Sequence, residues 1–226
     1  ERDLSARKRI ALIQNRQGIN YVKARPDILA VMFTVFFATS FGLNFNIFNT
    51  MMATAVFDKS AAEYGALGSI LAVGSLSGAI VSARLEKKRD PKFVMKGAML
   101  FSLVLICSAI APNYFTYALI LPIIGFIALV TFIAANTMIQ LRTDSAIRGR
   151  VMGIYLTVFL GGTPIVSPLI GWMTQEIGTR TTVAICGAIS FTAALITYLK
   201  FKDRTEAPQS FLVDDVLESA YEDKKD

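Results

Sequence analysis

The longest stretch without a charged side chain is GAMLFSLVLICSAIAPNYFTYALILPIIGFIALVTFIAANTMIQL, residues 97–141, and it decides the fold. Its 45 residues are roughly twice the 20 or so that one α-helix needs to cross a lipid bilayer. The cluster Pro112-Asn113-Tyr114 near its centre is typical of a turn. The stretch therefore predicts two membrane-spanning helices joined by a short turn.

Four further charge-free runs each have the length of a single span, and 54% of the 226 residues are apolar. We therefore expect an all-α membrane protein with six transmembrane helices in a lobe formed by residues 27–200. A basic cytoplasmic linker, partly an amphipathic helix, precedes it at 1–26, and an acidic cytoplasmic tail follows at 201–226. The predicted spans are approximately 28–57, 64–84, 96–111, 115–141, 151–175 and 181–199.

The basic residues predict the orientation of the spans. Of the 23 Lys and Arg side chains, 21 lie before the first span, after the last, or around the second and fourth connections. The other side of the membrane keeps only Lys59 and Arg180. Short connections rich in these residues stay in the cytoplasm, so both termini are expected there, in a multi-pass protein of the plasma or inner membrane. The net charge of +6 then needs no nucleic-acid partner.

Several classes of protein chemistry are not indicated. The chain has no histidine, and its two cysteines, Cys107 and Cys186, lie within predicted spans without metal-ligand spacing. A nucleophile activated by histidine is therefore excluded, and the predicted spans contain no carboxylate pair. The sequence predicts neither an enzyme nor a bound metal or cofactor.

Candidate site residues come from the first and fourth predicted spans. At 100° per residue, Asn44 falls on an aromatic face of the first span, which indicates either core packing or the wall of a site for a lipophilic small molecule. Asn46 and Asn49 fall among small residues on the opposite face, where helix packing is the plainer interpretation. The full set of substrate-path candidates is Phe37, Phe41, Asn44, Asn46, Phe48, Asn49, Phe132, Asn136 and Gln140.

Small residues and prolines in the second and fifth predicted spans indicate close contacts between helices. Small side chains four residues apart let two backbones approach, and prolines introduce bends. Such smooth surfaces suit either static packing or a moving interface. The residues assigned to helix packing are Gly74, Gly78, Ser82, Gly161, Gly162, Pro164, Pro168 and Gly171.

Three stretches resemble one family of membrane proteins. They are IRGRVMGIYLTVFLGGTPIVSPLIGWMTQEIGTR at 147–180, QGINYVKARPDI at 17–28 and ANTMIQL at 135–141. Together they are similar to the C-terminal half of a major facilitator superfamily permease, in the branch of enterobactin-exporter-like and macrolide-efflux-like proteins. In this resemblance Arg148, Gly149 and Arg150 form the cytoplasmic loop motif before the fifth span.

The resemblance implies one six-helix lobe of a twelve-helix fold, built as an inverted 3+3 repeat, with an N-terminal lobe of the same transporter as its partner. It also implies efflux of a hydrophobic or amphipathic small molecule, of drug or siderophore type, by alternating access between two lobes. A six-helix membrane scaffold that transports nothing is the alternative. Because the predicted spans carry no carboxylate away from their ends, the coupling carboxylate of a proton-driven antiporter would be expected in the N-terminal lobe.

Overall fold

The computed structural model describes residues 17–84 and 90–201, which form helices joined by short connections. A short helix at 17–24, the leading helix, comes first. Six helical segments that are long and apolar enough to cross a membrane follow within the described residues, and the prediction of a six-helix all-α fold is confirmed. In chain order, spans 1 to 6 are Pro26–Val56, Ala61–Arg84, Pro91–Ala109, Tyr114–Arg142, Arg148–Glu176 and Thr179–Phe201.

The helices extend beyond the charge-free runs from which they are predicted. Span 3 begins at Pro91 rather than near residue 96, so Lys92 and Lys96 lie within it. Proline suits the first turn of a helix because its missing N–H would have no partner there. Long lysine side chains reach the membrane surface from inside a helix, so a charge does not mark a helix end.

The turn expected between spans 3 and 4 is present. The Asn113 side chain accepts a hydrogen bond from the backbone N–H of Thr116 at 2.9 Å and so caps the start of span 4. Tyr114, the first residue of that span, donates its hydroxyl proton to the carbonyl oxygen of Glu63 at 2.8 Å. This turn therefore also fixes span 4 to the start of span 2.

Span 1 is not a continuous α-helix. It consists of α-helical Pro26–Phe37, π-helical Ala38–Gly42, α-helical Phe45–Met51 and π-helical Met52–Val56. At Leu43 and Asn44 the ψ angles are 24° and 41°, outside the helical range, so the helix breaks between the first π-helical turn and the C-terminal part of the span. Span 5 is divided as well, into Arg148–Gly161 and Thr163–Glu176.

The spans pack in pairs around span 1. Span 2 lies along span 4, where a Cβ atom added to Gly74 or Gly78 would collide with span 4 backbone. Span 3 lies along span 6 through Gly187, which faces Ser102 and Ile106. Span 1 contacts each of the other five spans. Glycines allow these pairs to approach closely because they present only backbone to the neighbouring helix.

Burial differs strongly between the spans. Within its most apolar window, 61% of span 1 is buried, but only 22% of span 2 and 22% of span 5. Large apolar side chains are exposed on both open spans, including Val73 and Leu76 on span 2 and Ile165 and Trp172 on span 5. Span 1 is thus the centre of the described lobe, and spans 2 and 5 present its open faces.

Candidate functional site

Asn44 lies at the break in span 1 and connects it to span 5. Its side-chain N–H donates to the carbonyl oxygen of Ser40 at 2.7 Å, and its carboxamide oxygen accepts the hydroxyl proton of Ser167 at 2.6 Å. These two bonds satisfy the Asn44 amide within the protein, as a side chain that is only 5% exposed requires. In this structure Asn44 therefore faces another helix rather than an open surface.

Ser40, one helical turn before the break, has a buried hydroxyl with no hydrogen-bond partner among the described residues. It lies against Gly162, where a Cβ atom would collide with the Ser40 hydroxyl oxygen. A buried hydroxyl without a partner is unfavourable, and such groups are rare in proteins. Spans 1 and 5 thus meet closely at one polar group that is left unsatisfied.

The other two amides of the first span are separated by the structure. Asn49 is buried, and its side-chain oxygen accepts the Tyr117 hydroxyl proton at 2.8 Å, which joins span 1 to span 4. Asn46 is exposed. The helical projection places both amides on one face, with packing as the plainer interpretation. That interpretation fits Asn49, but Asn46 lies outside the packed core.

An open polar stripe runs from Asn46 along the C-terminal part of span 1. It continues with Thr50 and Thr54, whose hydroxyls donate to the backbone oxygens of Asn46 and Thr50 at 2.5 Å and 2.8 Å.

A second polar stripe lies on span 4, where Gln140 donates to the side-chain oxygen of Asn136 at 2.5 Å, and both residues retain solvent exposure. Asn136 lies roughly 9 Å along its helix from Arg142, at about 1.5 Å per residue, whereas Asn46 lies beyond the break in span 1 and far from Asp27 in the sequence.

The predicted aromatic residues divide between the core and the partly open surface. Phe37 and Phe41 are half-buried and stack with their ring centroids 6.1 Å apart. Phe48 is fully buried. Phe132 is buried between Phe101 of span 3 and Phe159 of span 5, with ring centroids at 5.8 Å and 5.6 Å. Phe48 and Phe132 thus act as core residues here.

The predicted packing residues also divide. Gly74, Gly78 and Gly162 face the backbone or side chains of a neighbouring span, and Ser82 is buried. The remaining members face outward: within the described part of the chain, no heavy atom of another helix lies within 4 Å of a Cβ built on Gly161 or Gly171, and Pro164 and Pro168 are exposed. Packing by these four residues stays a prediction.

A buried ion-pair cluster links three helices at one end of the lobe. Asp27 is 1% exposed and accepts two hydrogen bonds from the Arg25 guanidinium, at 3.0 Å and 2.9 Å, and one from Arg142 at 3.3 Å. Arg142 also lies 3.8 Å from the Asp90 carboxylate. Its bonds to Asp27 raise the pKa of the Arg25 guanidinium, which therefore stays charged. The cluster joins the starts of spans 1 and 3 to the end of span 4.

Sequence reasoning does not single out this cluster or the Ser40 hydroxyl. It places Asp27 only as a carboxylate at a helix end. The sequence does contain a signal for part of this cluster. Arg25 and Asp27 lie two residues apart at the start of a span, where an isolated carboxylate would be costly to bury. The third member, Arg142, lies 115 residues from Asp27 in the chain and cannot be paired with it from local pattern alone.

Comparison with known families gives a match over most of the chain. A family model described as the Major Facilitator Superfamily matches residues 29–215. The chain belongs to the major facilitator superfamily. The resemblance seen in the sequence is thereby confirmed, and this chain is a multi-pass membrane protein of a transporter family rather than of an enzyme family.

Curated relatives of this major facilitator chain are named as exporters. It is 28% identical over 113 residues to the enterobactin exporter EntS of Shigella boydii serotype 18 (strain CDC 3083-94 / BS512), and equally to that of serotype 4 (strain Sb227). It is 27% identical over 113 residues to the enterobactin exporter EntS of Escherichia coli O81 (strain ED1a). Each match covers 50% of this chain and 27% of the exporter, so the chain matches about a quarter of the relatives' length.

The arginine-glycine-arginine motif of this major facilitator chain begins span 5 beside the leading helix. Arg150 donates a hydrogen bond to the side-chain oxygen of Gln17, and Gly18 lies against Ile154. Arg148 and Gly149 are exposed. The basic segment expected at 1–26 thus includes a helix docked on the lobe, whereas residues 1–16 and the acidic segment from 202 to 226 lie outside the described residues.

Proposed function

We propose that this chain is one six-helix lobe of a secondary transporter that exports a hydrophobic or amphipathic small molecule by alternating access. One observation carries the proposal: spans 1 and 4, which hold corresponding places in the two triplets of spans, each leave an uncharged polar stripe open. An amide facing lipid is poorly satisfied, so these stripes are better suited to a water-filled path or a partner surface. The curated relatives are named as exporters, which supports the direction of transport.

The two stripes lie towards opposite ends of their spans. Asn136 is near the end marked by the buried ion pairs, and Asn46 is near the other end. A transporter that opens alternately to each side needs contacts for its substrate along the whole path. Amides and hydroxyls beside the half-buried rings of Phe37 and Phe41 suit an uncharged molecule with both apolar and hydrogen-bonding groups.

The open faces of spans 2 and 5 support a second lobe as partner. Small residues that leave a smooth surface allow a second set of helices to pack closely and to slide. The proposed partner is the N-terminal six-helix lobe of the same transporter, and the outward-facing Pro164 and Pro168 lie on this surface. On these two spans, the glycines that have no neighbouring atom from residues 17–84 and 90–201 within 4 Å of a built Cβ are Gly65, Gly68, Gly149, Gly153 and Gly171.

Replacement of Asn46 by leucine tests the substrate path. We expect Asn46→Leu to fold normally, because the side chain is exposed, and to reduce transport of compounds that use the amide by about 2- to 10-fold. Purified full-length protein in proteoliposomes, assayed against a panel of hydrophobic dyes and hydroxyl-rich compounds, measures this change in profile. Asn49→Leu is the matched control, because it removes the hydrogen bond to Tyr117. The loss should lower the amount of folded protein, and transport of every compound should then fall by the same factor.

Absence of transport by the unaltered protein, or an unchanged profile in Asn46→Leu, would contradict this assignment. The same panel separates a transporter from a membrane scaffold, because a scaffold moves none of the compounds above the rate of empty vesicles.

The orientation of the lobe is proposed from its basic residues and tested by labelling. In a background without cysteine, cysteine at Ser60 is expected to react with an impermeant thiol reagent added outside intact cells, whereas cysteine at Ser145 is not. Both positions are exposed and lie at opposite ends of the spans. Thr179, a second outer position by sequence, is buried and is a poor labelling site. Labelling of the cysteine at Ser145 alone would show that the lobe has the opposite orientation.

A further inference from the structure

We propose that Asn44 is a positioning residue of a hinge in span 1, and that the unpaired Ser40 hydroxyl is its partner when the hinge straightens. The hinge consists of Leu43 and Asn44, between the π-helical turn at Ala38–Gly42 and the outer segment at 45–56. Its role in transport rests on the function proposed above. The hydrogen bonds of the bent state are those of this structure, and the straight state is inferred from them without reference to transport.

The bent state is stabilised by the Asn44 side chain. In an uninterrupted α-helix, the carbonyl oxygen of Ser40 accepts the backbone N–H four residues later, which is that of Asn44. Here the side-chain N–H of Asn44 takes this carbonyl instead, at 2.7 Å. The side chain thus replaces a backbone hydrogen bond at the break, and Ser167 holds the same amide from span 5 at 2.6 Å.

The straight state requires a new acceptor for the amide. If the backbone N–H of Asn44 takes back the Ser40 carbonyl, the side-chain N–H group loses its partner in a buried site, which is unfavourable. The Ser40 hydroxyl belongs to the same residue, is fully buried and has no partner among the described residues. It can accept from the displaced amide, so the hydroxyl that is unsatisfied in the bent state becomes paired in the straight state.

Straightening the hinge would move the outer segment of span 1. This segment carries Asn46 and Thr54 of the open polar stripe. The inner half is anchored at its start by the buried ion pairs of Asp27, so we expect the outer half to move relative to it. Single π-helical turns inside α-helices occur frequently at functional sites.

The experiment measures the distance between two spin labels in the purified full-length protein in lipid nanodiscs. Labels are attached to cysteines at Thr54 and Gln175, both exposed, with Cys107 and Cys186 replaced by alanine. Ser40→Ala removes the acceptor of the straight state and should shift the ratio of the two populations about 2- to 10-fold towards the bent distance. Asn44→Leu removes the bond that caps the bent state and should shift the ratio in the opposite direction.

Ser102→Ala is the matched control, because this buried hydroxyl of span 3 donates to its own helix at Ala98 and lies outside the hinge. It should leave the distances unchanged. Identical distance distributions in the unaltered protein and in Ser40→Ala would overturn the hinge, even if Asn44→Leu failed to fold. In transport assays, Ser40→Ala should lower the maximal rate at unchanged KM. If the populations shift but neither the unaltered protein nor any variant transports a compound, the result would support the hinge and overturn the proposed function.

Discussion

Replacing Asp27 with asparagine is expected to lower the stability of the folded protein by about 3–5 kcal/mol, the usual cost of breaking a buried ion pair from one side. The reason is that the Arg25 guanidinium would keep its charge but lose the carboxylate that receives two of its hydrogen bonds. Arg142 would lose the same carboxylate. An asparagine oxygen can accept a hydrogen bond, but it cannot balance the positive charge.

The measurement is the melting temperature and folded yield of the purified variant in detergent. Asp58→Asn is the matched control, since Asp58 is exposed and has a φ angle of 51°, which asparagine adopts readily. We expect the control to melt like the unaltered protein. A second replacement, Arg25→Gln, should recover part of the loss when it is combined with Asp27→Asn. Equal melting temperatures for Asp27→Asn and Asp58→Asn would show that the cluster contributes little.

Replacing Gly74 with leucine is expected to disrupt the packing of span 2 on span 4. A Cβ atom at this position would collide with the backbone of Pro122, which cannot turn aside as a side chain can. Overpacking a well-packed contact typically costs about 1–3 kcal/mol, and a backbone contact puts Gly74→Leu at or above the upper end. The variant should therefore give little folded protein after purification in detergent.

Gly68→Leu is the control for this prediction, because it makes the same change on the same helix. Among the residues that the structure describes, no neighbouring side chain or helix lies within 4 Å of a Cβ built on Gly68, and the residue is exposed. Its melting temperature should match that of the unaltered protein, while its transport reports on whether another lobe covers this face. If Gly74→Leu folds as well as Gly68→Leu, spans 2 and 4 do not pack through this glycine.

The number of spans can be predicted from sequence because bilayer thickness and charge patterning act locally along the chain. The 45-residue run divides correctly at Pro112 and Asn113, since the turn residues themselves carry the signal. The family resemblance is likewise visible in a contiguous stretch around Arg148. Neither inference requires knowledge of which helices contact each other.

The faces of span 1 cannot be predicted in the same way. The projection at 100° per residue assumes one unbroken α-helix, but the π-helical turn at Ala38–Gly42 and the break at Asn44 change the register from that point onward. Asn44 therefore meets Ser167 of span 5, and Asn46 rather than Asn44 lies in the open. Asn44 and Ser167 are 123 positions apart in the chain, so no local pattern could have paired them.

The pairing of Asp27 with Arg142 also has a consequence for synthesis on the ribosome. The two residues are 115 positions apart, so at roughly 5–20 residues per second the carboxylate is made about 6–23 s before this arginine. During that interval Arg25, made at nearly the same moment as Asp27, is the ion-pair partner that has already been synthesised among those in the described residues. Arg25 is thus expected to matter for insertion of the nascent chain as well as for the finished fold.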